Sequence, residues 1–318
     1  MTPTQLRAFA TVVKLGSVKK AAAALEVSDA AVSLHVGQLR KELGDKLFLR
    51  TAEGLAFTPG GLRLASRAME ILGVQGQTVL EVREAGEGRR MLRLSTSSLF
   101  AEYAAPGLIE LFAERSKDLD VELSIHPPKS FESLLLTRSV DAVIGPRSIS
   151  SDPAIASEHF LNYQVVAVVS PDHPMARGVP TPSMLREQTW LLGPSMADES
   201  GVISRMLGRL GVPAERQRMF QSHAAALEEA KRASGVSLAL SFVVAPDIAS
   251  GSLKQLSGQQ TQGQGTWSIS TLGGDQAPSA AIELTRFVTT PRATQAMVRG
   301  VGAARGRFRP AVHVTLWN

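Results

Sequence analysis

One stretch of the chain, SDAAVSLHVGQLRKELG (28 to 44), has residue types and spacing suited to reading another surface. At 100° per residue from Val32, the positions Val36, Leu39 and Leu43 fall within about 40° and form one apolar face. Ala30, Leu34, Gly37, Gln38 and Lys41 collect on the opposite face, with Ser33 at its edge. In a DNA major groove, alanine and leucine can meet thymine methyls, glutamine can pair with adenine, and serine and lysine can hold phosphates. The bland alternative is a solvent-facing helix. Against it stands the spacing around the stretch, a helix, a two-residue break and a capping serine, which is that of a helix-turn-helix.

A second set of residues could hold a small molecule. The first strand behind residue 88 ends in Ser95, Thr96, Ser97 and Ser98. The second is followed by HPPKS with Lys129 and Ser130, and further on stand GPS (193 to 195, with Ser195), ESG (199 to 201) and QSH (221 to 223, with His223). Ligands in open α/β sheets lie at the carboxyl ends of strands. Hydroxyls and exposed amides at helix starts suit a carboxylate or other anion. Each serine alone reads equally well as an ordinary N-cap.

Other chemistries lack their residues. Histidines 35, 126, 159, 173, 223 and 313 are scattered without an HxxxH or HExxH pair, so no metal is expected. There is no GxSxG, Walker A or complete GxGxxG string, so neither an enzyme nor a cofactor is expected. Cysteine is absent, which excludes disulfides, thiolate metal sites and a thiol switch.

The elements that must position these residues are legible. Thr2, Pro3 and Gln5 form a capping box for a first helix with Leu6, Phe9 and Val13 on one side and Gly16 at its end. Ser17 caps a second helix, Glu26 and Val27 turn, and Ser28 caps the third, which runs to Gly44. KLFLR (46 to 50) and LAF (55 to 57) predict a small hairpin or wing. From Thr58 and Pro59 a long helix follows, in which Leu62, Ala65, Met69, Leu72, Gly76 and Val79 keep heptad spacing, the seam of a coiled coil. Glycines 73 and 76 weaken its centre, which leaves open a helix that packs only on its own domain.

AGEGRR (85 to 90) marks a boundary. Behind it MLRLSTS, PGLIELFAERS, DVELSIH, FESLLLTRS and DAVIG alternate as α/β units of a parallel sheet. A second set begins near VVAVVSP (165 to 171) and ends near LKQL. SGQQTQGQG (257 to 265) is expected as a connecting loop, with TWSIST (266 to 271) and a helix over AAIELTRFVTTPRATQAMV returning to the first lobe.

At 318 residues the chain suits two or three domains, and a net charge of +5 permits a phosphate-rich partner without proving one. The amino terminus lacks the flank and apolar run of a signal peptide, and no stretch approaches a membrane span, so a cytoplasmic protein is expected.

Residues 1 to about 90 resemble the amino-terminal region of LysR-type transcriptional regulators. The resemblance rests on LRAFATVVKLGSVKKAAAALEVSDAAVS, on LxxELGxxLFxR from Leu39 to Arg50, and on TPGG (58 to 61), followed by a heptad-bearing helix and two α/β lobes. It implies an α+β multi-domain protein: a winged helix-turn-helix (1–58), a linker and dimerisation helix (59–88), and a two-lobed effector domain of periplasmic-binding-protein type (89–305). Lobe I would comprise 89–163 and 267–305, lobe II 164–266. The basic, aromatic segment 306–318 lies beyond the match, as a tail or an added strand.

Carried to matching positions, the resemblance puts Ser28, Ala30, Ser33, Leu34 and Gln38 at the groove of double-stranded promoter DNA, with Lys41 and Arg50 on phosphates. It gives Thr96, Ser97 and Ser98 the strongest claim to the effector. Asp29, Ala30 and Leu34 depart from the family's usual residues, so sequence preference cannot be borrowed. The first 60 residues carry eight Lys or Arg against five Asp or Glu, a small excess that calls for affinity from a homodimer or homotetramer. RNA polymerase is a further partner the resemblance allows. The reading of a different class is a solute-binding protein or enzyme with an amino-terminal interaction arm.

Overall fold

The computed structural model describes residues 1–51, 54–146, 152–198 and 201–299. Segment 306–318 and residues 199 and 200 of ESG lie outside the described residues. The chain forms two units, Met1–Glu87 with Leu136–Ser139, and Gly88–Leu135 with the chain from Val140.

In the first unit α1 (Pro3–Leu15) starts at the expected capping box and stops at left-handed Gly16. Helix α2 (Val18–Ala24) is capped by Ser17 and α3 (Asp29–Leu43) by Ser28, whose hydroxyl accepts the Ala31 N–H at 3.2 Å. Glu26, at φ 56°, makes the break between them. Leu6, Phe9, Val12, Val32, Val36 and Leu39 are buried together. Leu43, expected among them, is exposed, because it sits in the last turn of α3 where the supporting helices have ended. Full burial of such side chains contributes roughly 1.5–3 kcal/mol each.

Strands β1 (Phe48–Thr51) and β2 (Gly54–Phe57) pair antiparallel as the wing. Phe48 stacks on Phe9 at 6.5 Å between centroids, joining wing to helices. Helix α4 (Pro59–Glu87) begins at Thr58, whose hydroxyl accepts the Gly61 N–H (2.9 Å) and donates to Asp45 (2.7 Å). The glycines of TPGG are sterically required: a Cβ at Gly61 would lie 2.0 Å from the Leu47 carbonyl oxygen.

Helix α4 does not present the predicted seam as one stripe. Ala65 and Leu72 pack with Leu64 and buried Ala68 on the unit's own core, whereas Leu62, Met69 and Val79 are exposed. The heptad positions straddle two faces because the start of α4 also closes the helix-turn-helix core.

The second unit runs β3 (Arg90–Thr96), α5 (Ser98–Tyr103), α6 (Ala105–Arg115), β4 (Leu119–Ile125), α7 (Phe131–Leu136), β5 (Ala142–Pro146) and β6 (Ile155–Val169). It continues with α8 (Pro182–Arg186), β7 (Trp190–Leu192), α9 (Val202–Leu210), β8 (Gln217–Met219), α10 (His223–Lys231), β9 (Val236–Leu240) and α11 (Ser241–Ala249). Then come β10 (Lys254–Gln255), β11 (Gln262–Leu272), α12 (Ser279–Val288) and α13 (Pro291–Arg299).

The sheet order is β4-β3-β5-β11-β6-β9-β7-β8, with β10 on β6. It is mixed, not parallel throughout as expected. Strand β3 is parallel to β4 and β5, and β7 to β8 and β9, but β11 runs antiparallel to both β5 and β6. The long pair β6–β11 joins the two parallel halves, hereafter the first and second lobes. Strand β6 starts ten residues before VVAVVSP, since its first half, IASEHFLNYQ, is mostly exposed or half-buried and lacks the period-two alternation that marks a strand in sequence. The register shifts between Trp267 and Ser268, leaving Phe160 unpaired at a bulge that bends the crossing.

Part of the expected loop SGQQTQGQG is strand. Gly263 and Gly265 belong to β11, and a Cβ at Gly265 would lie 2.3 Å from the Tyr163 ring, so glycine here reflects close packing. The expected single carboxy-terminal helix is two, interrupted ahead of Pro291. They return to the first lobe: Phe287 stacks on Phe112 at 5.4 Å, and Arg90 pairs with Asp118 (2.7 Å) and Glu283 (2.8 Å).

Candidate functional site

The outer face of α3 is bare. Ser28, Asp29, Ala30, Ser33, Gly37, Gln38 and Lys41 are exposed, and Leu34 is 60% exposed. A single exposed leucine is ordinary on a protein surface; what sets Leu34 apart is that its neighbours on this face are small or polar and leave it open. Asp29, Ser33 and Arg50 line one open groove together with Ser17 and Lys19 of the α2 start, so the wing arginine and the α3 start share a surface. Lys41 lies at the other end of α3.

Two relationships escaped the sequence. Gln38 Oε1 accepts from Gln5 Nε2 at 2.8 Å, and Gln5 Oε1 in turn accepts the Thr2 N–H at 2.7 Å, so the capping box of α1 orients the polar reader of α3. Arg40 is turned toward the wing: its guanidinium donates to the Phe48 carbonyl (2.9 Å) and covers the Phe48 ring (4.4 Å). Asp45 is likewise bound within the unit, its carboxyl held below the usual carboxylate range by the Leu47 N–H and then the Thr58 hydroxyl.

Between the lobes of the second unit lies a cavity of about 270 Å³. Ser97 and Ser98 reach it from the turn between β3 and α5, and Ser195 from the turn after β7. Tyr163 and Trp267, 4.4 Å apart on the crossing strands, line it too, as does His126 at the end of β4. Ser97 Oγ, Ser195 Oγ and Trp267 Nε1 are buried and have no hydrogen-bond partner. Such atoms are costly unless something else satisfies them. His126 Nδ1 pairs with Ser95 Oγ at 2.9 Å, and burial lowers the imidazole's pKa. Burial also pushes the Tyr163 hydroxyl up to about 12.

The other sequence-derived candidates do not reach the cavity wall. Thr96 closes β3 within the sheet and is wholly buried. Lys129 is exposed and Ser130 half-buried on a 3-10 turn (Pro128–Ser130) whose Pro128 alone faces the cavity. His223 is buried behind Gly193, where a Cβ would meet its ring at 2.2 Å. Tyr163, Trp267 and His126 were missed because their convergence depends on strand pairings far apart in sequence.

The model of the bacterial regulatory helix-turn-helix protein, lysR family, matches residues 3–62. That of the LysR substrate binding domain matches residues 85–290. The chain belongs to the LysR family. An uncharacterized HTH-type transcriptional regulator of Mycobacterium tuberculosis (strain ATCC 25618 / H37Rv) is 55% identical over the whole of both chains. The RuBisCO operon transcriptional regulator of Allochromatium vinosum is 31% identical over 54% of this chain and 57% of its own. Among solved structures, full-length CbnR complexed with its target DNA has a TM-score of 0.56 at 19% identity, covering 91% of this chain and all of that one. A full-length OxyR variant from Pseudomonas aeruginosa has a TM-score of 0.58 at 20% identity, over 91% and 98%. At these identities the likeness is one of fold. This LysR-family chain is therefore a transcriptional regulator that binds DNA through its helix-turn-helix and carries an effector domain, rather than an enzyme. Among the described residues no helix is long and apolar enough to cross a membrane.

Proposed function

We propose that this LysR-family regulator reads promoter DNA with the bare face of α3. Ala30, Leu34 and Gln38 meet base edges, while Ser28, Ser33, Lys41 and Arg50 hold the backbone. Asp29 meets a cytosine amino group or caps the helix. The observation that carries this reading is the exposure of Leu34 among small residues on a face that shares a groove with Arg50.

The regulator works in the cytoplasm as a homodimer or homotetramer assembled through α4, where Leu62, Met69 and Val79 stand exposed, with RNA polymerase as a further partner. Its effector is a small molecule held between the lobes, where the hydroxyls of Ser97, Ser98 and Ser195 suit an acceptor group, a carboxylate or another anion among them. The effector must bind one arrangement of the lobes better than another, because equal affinity shifts nothing.

A labelled-duplex titration on the gene's own upstream region tests the reading. Specific binding that weakens steeply between 50 and 200 mM salt is expected. Binding indifferent to sequence and salt would sink it.

A further inference from the structure

We propose that Glu102 is a latch that holds the two lobes closed in the unliganded chain, and that its release from the amino terminus of α10 is the step by which the cleft opens. The inference rests on the reading of that cleft as the effector site only for what the opening admits; the latch itself rests on the contacts around Glu102.

The contact joins one lobe to the other. Glu102 belongs to α5 of the first lobe, whereas His223 and Ala224 begin α10 of the second. The Glu102 carboxylate accepts both N–H groups, at 2.9 and 2.6 Å. Those amides are two of the four that a helix start leaves without partners inside the helix. Ser222, the helix's own cap, serves the N–H of Ala225 at 3.1 Å. With Glu102 withdrawn, α10 therefore keeps its cap and its two freed amides turn to water, so the latch can open without unfolding the helix. Elsewhere the lobes are joined by the long β6–β11 pair, which gives the cleft a continuous sheet as hinge and this contact as fastener.

The surroundings of the latch bring its two states close in free energy. Tyr103, next to Glu102, faces the His223 ring at 6.2 Å, and on the second lobe a Cβ at Gly193 would meet that ring at 2.2 Å. His223 is thereby boxed in at 4% exposure, and its Nε2 is a buried atom without a hydrogen-bond partner. Closing gains hydrogen bonds to a charged acceptor but strands an imidazole nitrogen; opening reverses both. Opposed contributions of this kind are what a two-state element needs.

The latch is also within reach of the cavity. Ser97 caps α5, Ser98 is its first residue and Glu102 stands one helical turn further along the same six-residue helix. Ser97 and Ser98 line the cavity, so a molecule lodged against them acts on Glu102 through a single turn of helix.

Double electron–electron resonance on the full chain tests the latch. The sequence holds no cysteine, so Glu114→Cys on α6 and Glu228→Cys on α10 place one spin label on each lobe and none elsewhere. Labelled chain is diluted into an excess of unlabelled chain, so that the distance read lies within one molecule. One main distance is expected with Glu102 intact. Glu102→Gln, which keeps the shape and loses the charge, and Glu102→Ala should each populate a second, longer distance, raising the open-to-closed ratio about ten- to hundredfold. Circular dichroism should show both variants folded, and Glu102→Gln decides the matter where Glu102→Ala is not. Glu110→Gln, which neutralises an exposed carboxylate of α6, should leave the distances unchanged. The proposal is overturned if the folded Glu102 variants keep the parent distance, if Glu110→Gln acts as they do, or if the intact chain already populates mainly the longer distance. Binding of the parent chain to its upstream duplex is measured alongside, so that failure of the regulator reading shows as absent DNA binding and failure of the latch shows only in the distances.

Discussion

The carboxylate of Glu102 accepts the backbone N–H groups of His223 (2.9 Å) and Ala224 (2.6 Å), which lie 121 and 122 residues further along the chain. Glu102 stands on α5, directly after the Ser97–Ser98 turn, and His223 opens α10, with Gly193 and then Ser195 beyond its ring. The two cavity walls are thus tied by one carboxylate at a helix amino terminus, a favourable place for negative charge. Removing it with Glu102→Ala leaves two N–H groups without that partner and should lower the unfolding midpoint by a few degrees, read by thermal melting.

His223 makes the same contact sensitive to acid. Burial depresses its pKa from 6.5 to about 4, against the opposing charge of Glu102, with the Tyr103 ring as its other neighbour at 6.2 Å. Between those values the unfolded chain binds more protons than the folded one, so stability rises with pH. The contribution is complete above about pH 6.5 and is lost as pH falls toward 4. Urea unfolding should show wild type losing on the order of 1–3 kcal/mol more than His223→Gln between pH 7.5 and 5. Equal losses would remove His223 as the source.

How much of this was legible follows from how local each signal is. The caps Thr2, Ser17 and Ser28, the stops at Gly16 and Gly44, and the bare face of α3 depend on residues within a few turns, and the sequence states them directly. Arg40 entered the sequence reading only as one of eight basic residues, because nothing nearby reveals that Phe48 will come beneath it. Tyr163 and Trp267 meet only once β6 and β11 pair antiparallel, and their glycine neighbours read as loop until Gly265 is seen to make room for the tyrosine ring. Ser97 and Ser195 were readable as turn residues after strands. That Thr96, Lys129 and Ser130 would miss the cavity was not, since one residue along a strand or turn changes the face.

Gly61 tests the packing of the wing against α4. A methyl group there would meet the Leu47 carbonyl at 2.0 Å; that oxygen is backbone and a Cβ has no torsion of its own to turn, so neither can rotate away. Gly61→Ala should destabilise the first unit by at least about 2 kcal/mol in urea unfolding, despite the helix propensity that alanine adds. Gly76→Ala, at a position open to solvent, should be neutral or stabilising.

Self-association through α4 predicts a charge effect at exposed positions only. Met69 is 39% and Val79 50% exposed in the single chain, whereas Ala68 is buried in its own core. The double variant Met69→Glu, Val79→Glu should shift the light-scattering mass toward that of one chain while the circular dichroism spectrum is kept. An unchanged mass would move the association surface elsewhere.

The DNA reading separates phosphate contacts from base contacts. Lys41→Ala and Arg50→Ala should weaken all duplexes alike, each reducing the slope of log affinity against log salt by about 0.9. Gln38→Ala should cost roughly 1–3 kcal/mol on the preferred duplex and relax preference at one base pair, leaving the salt slope unchanged. Gln5→Ala removes the hydrogen bond that orients Gln38 and should show a smaller version of the same pattern. Asp29 decides how the groove meets charge, for it lies with Lys19 and Arg50 on one surface. If it repels phosphate, Asp29→Asn raises affinity for every sequence; if it accepts from a cytosine amino group, the variant loses affinity only where that cytosine is present.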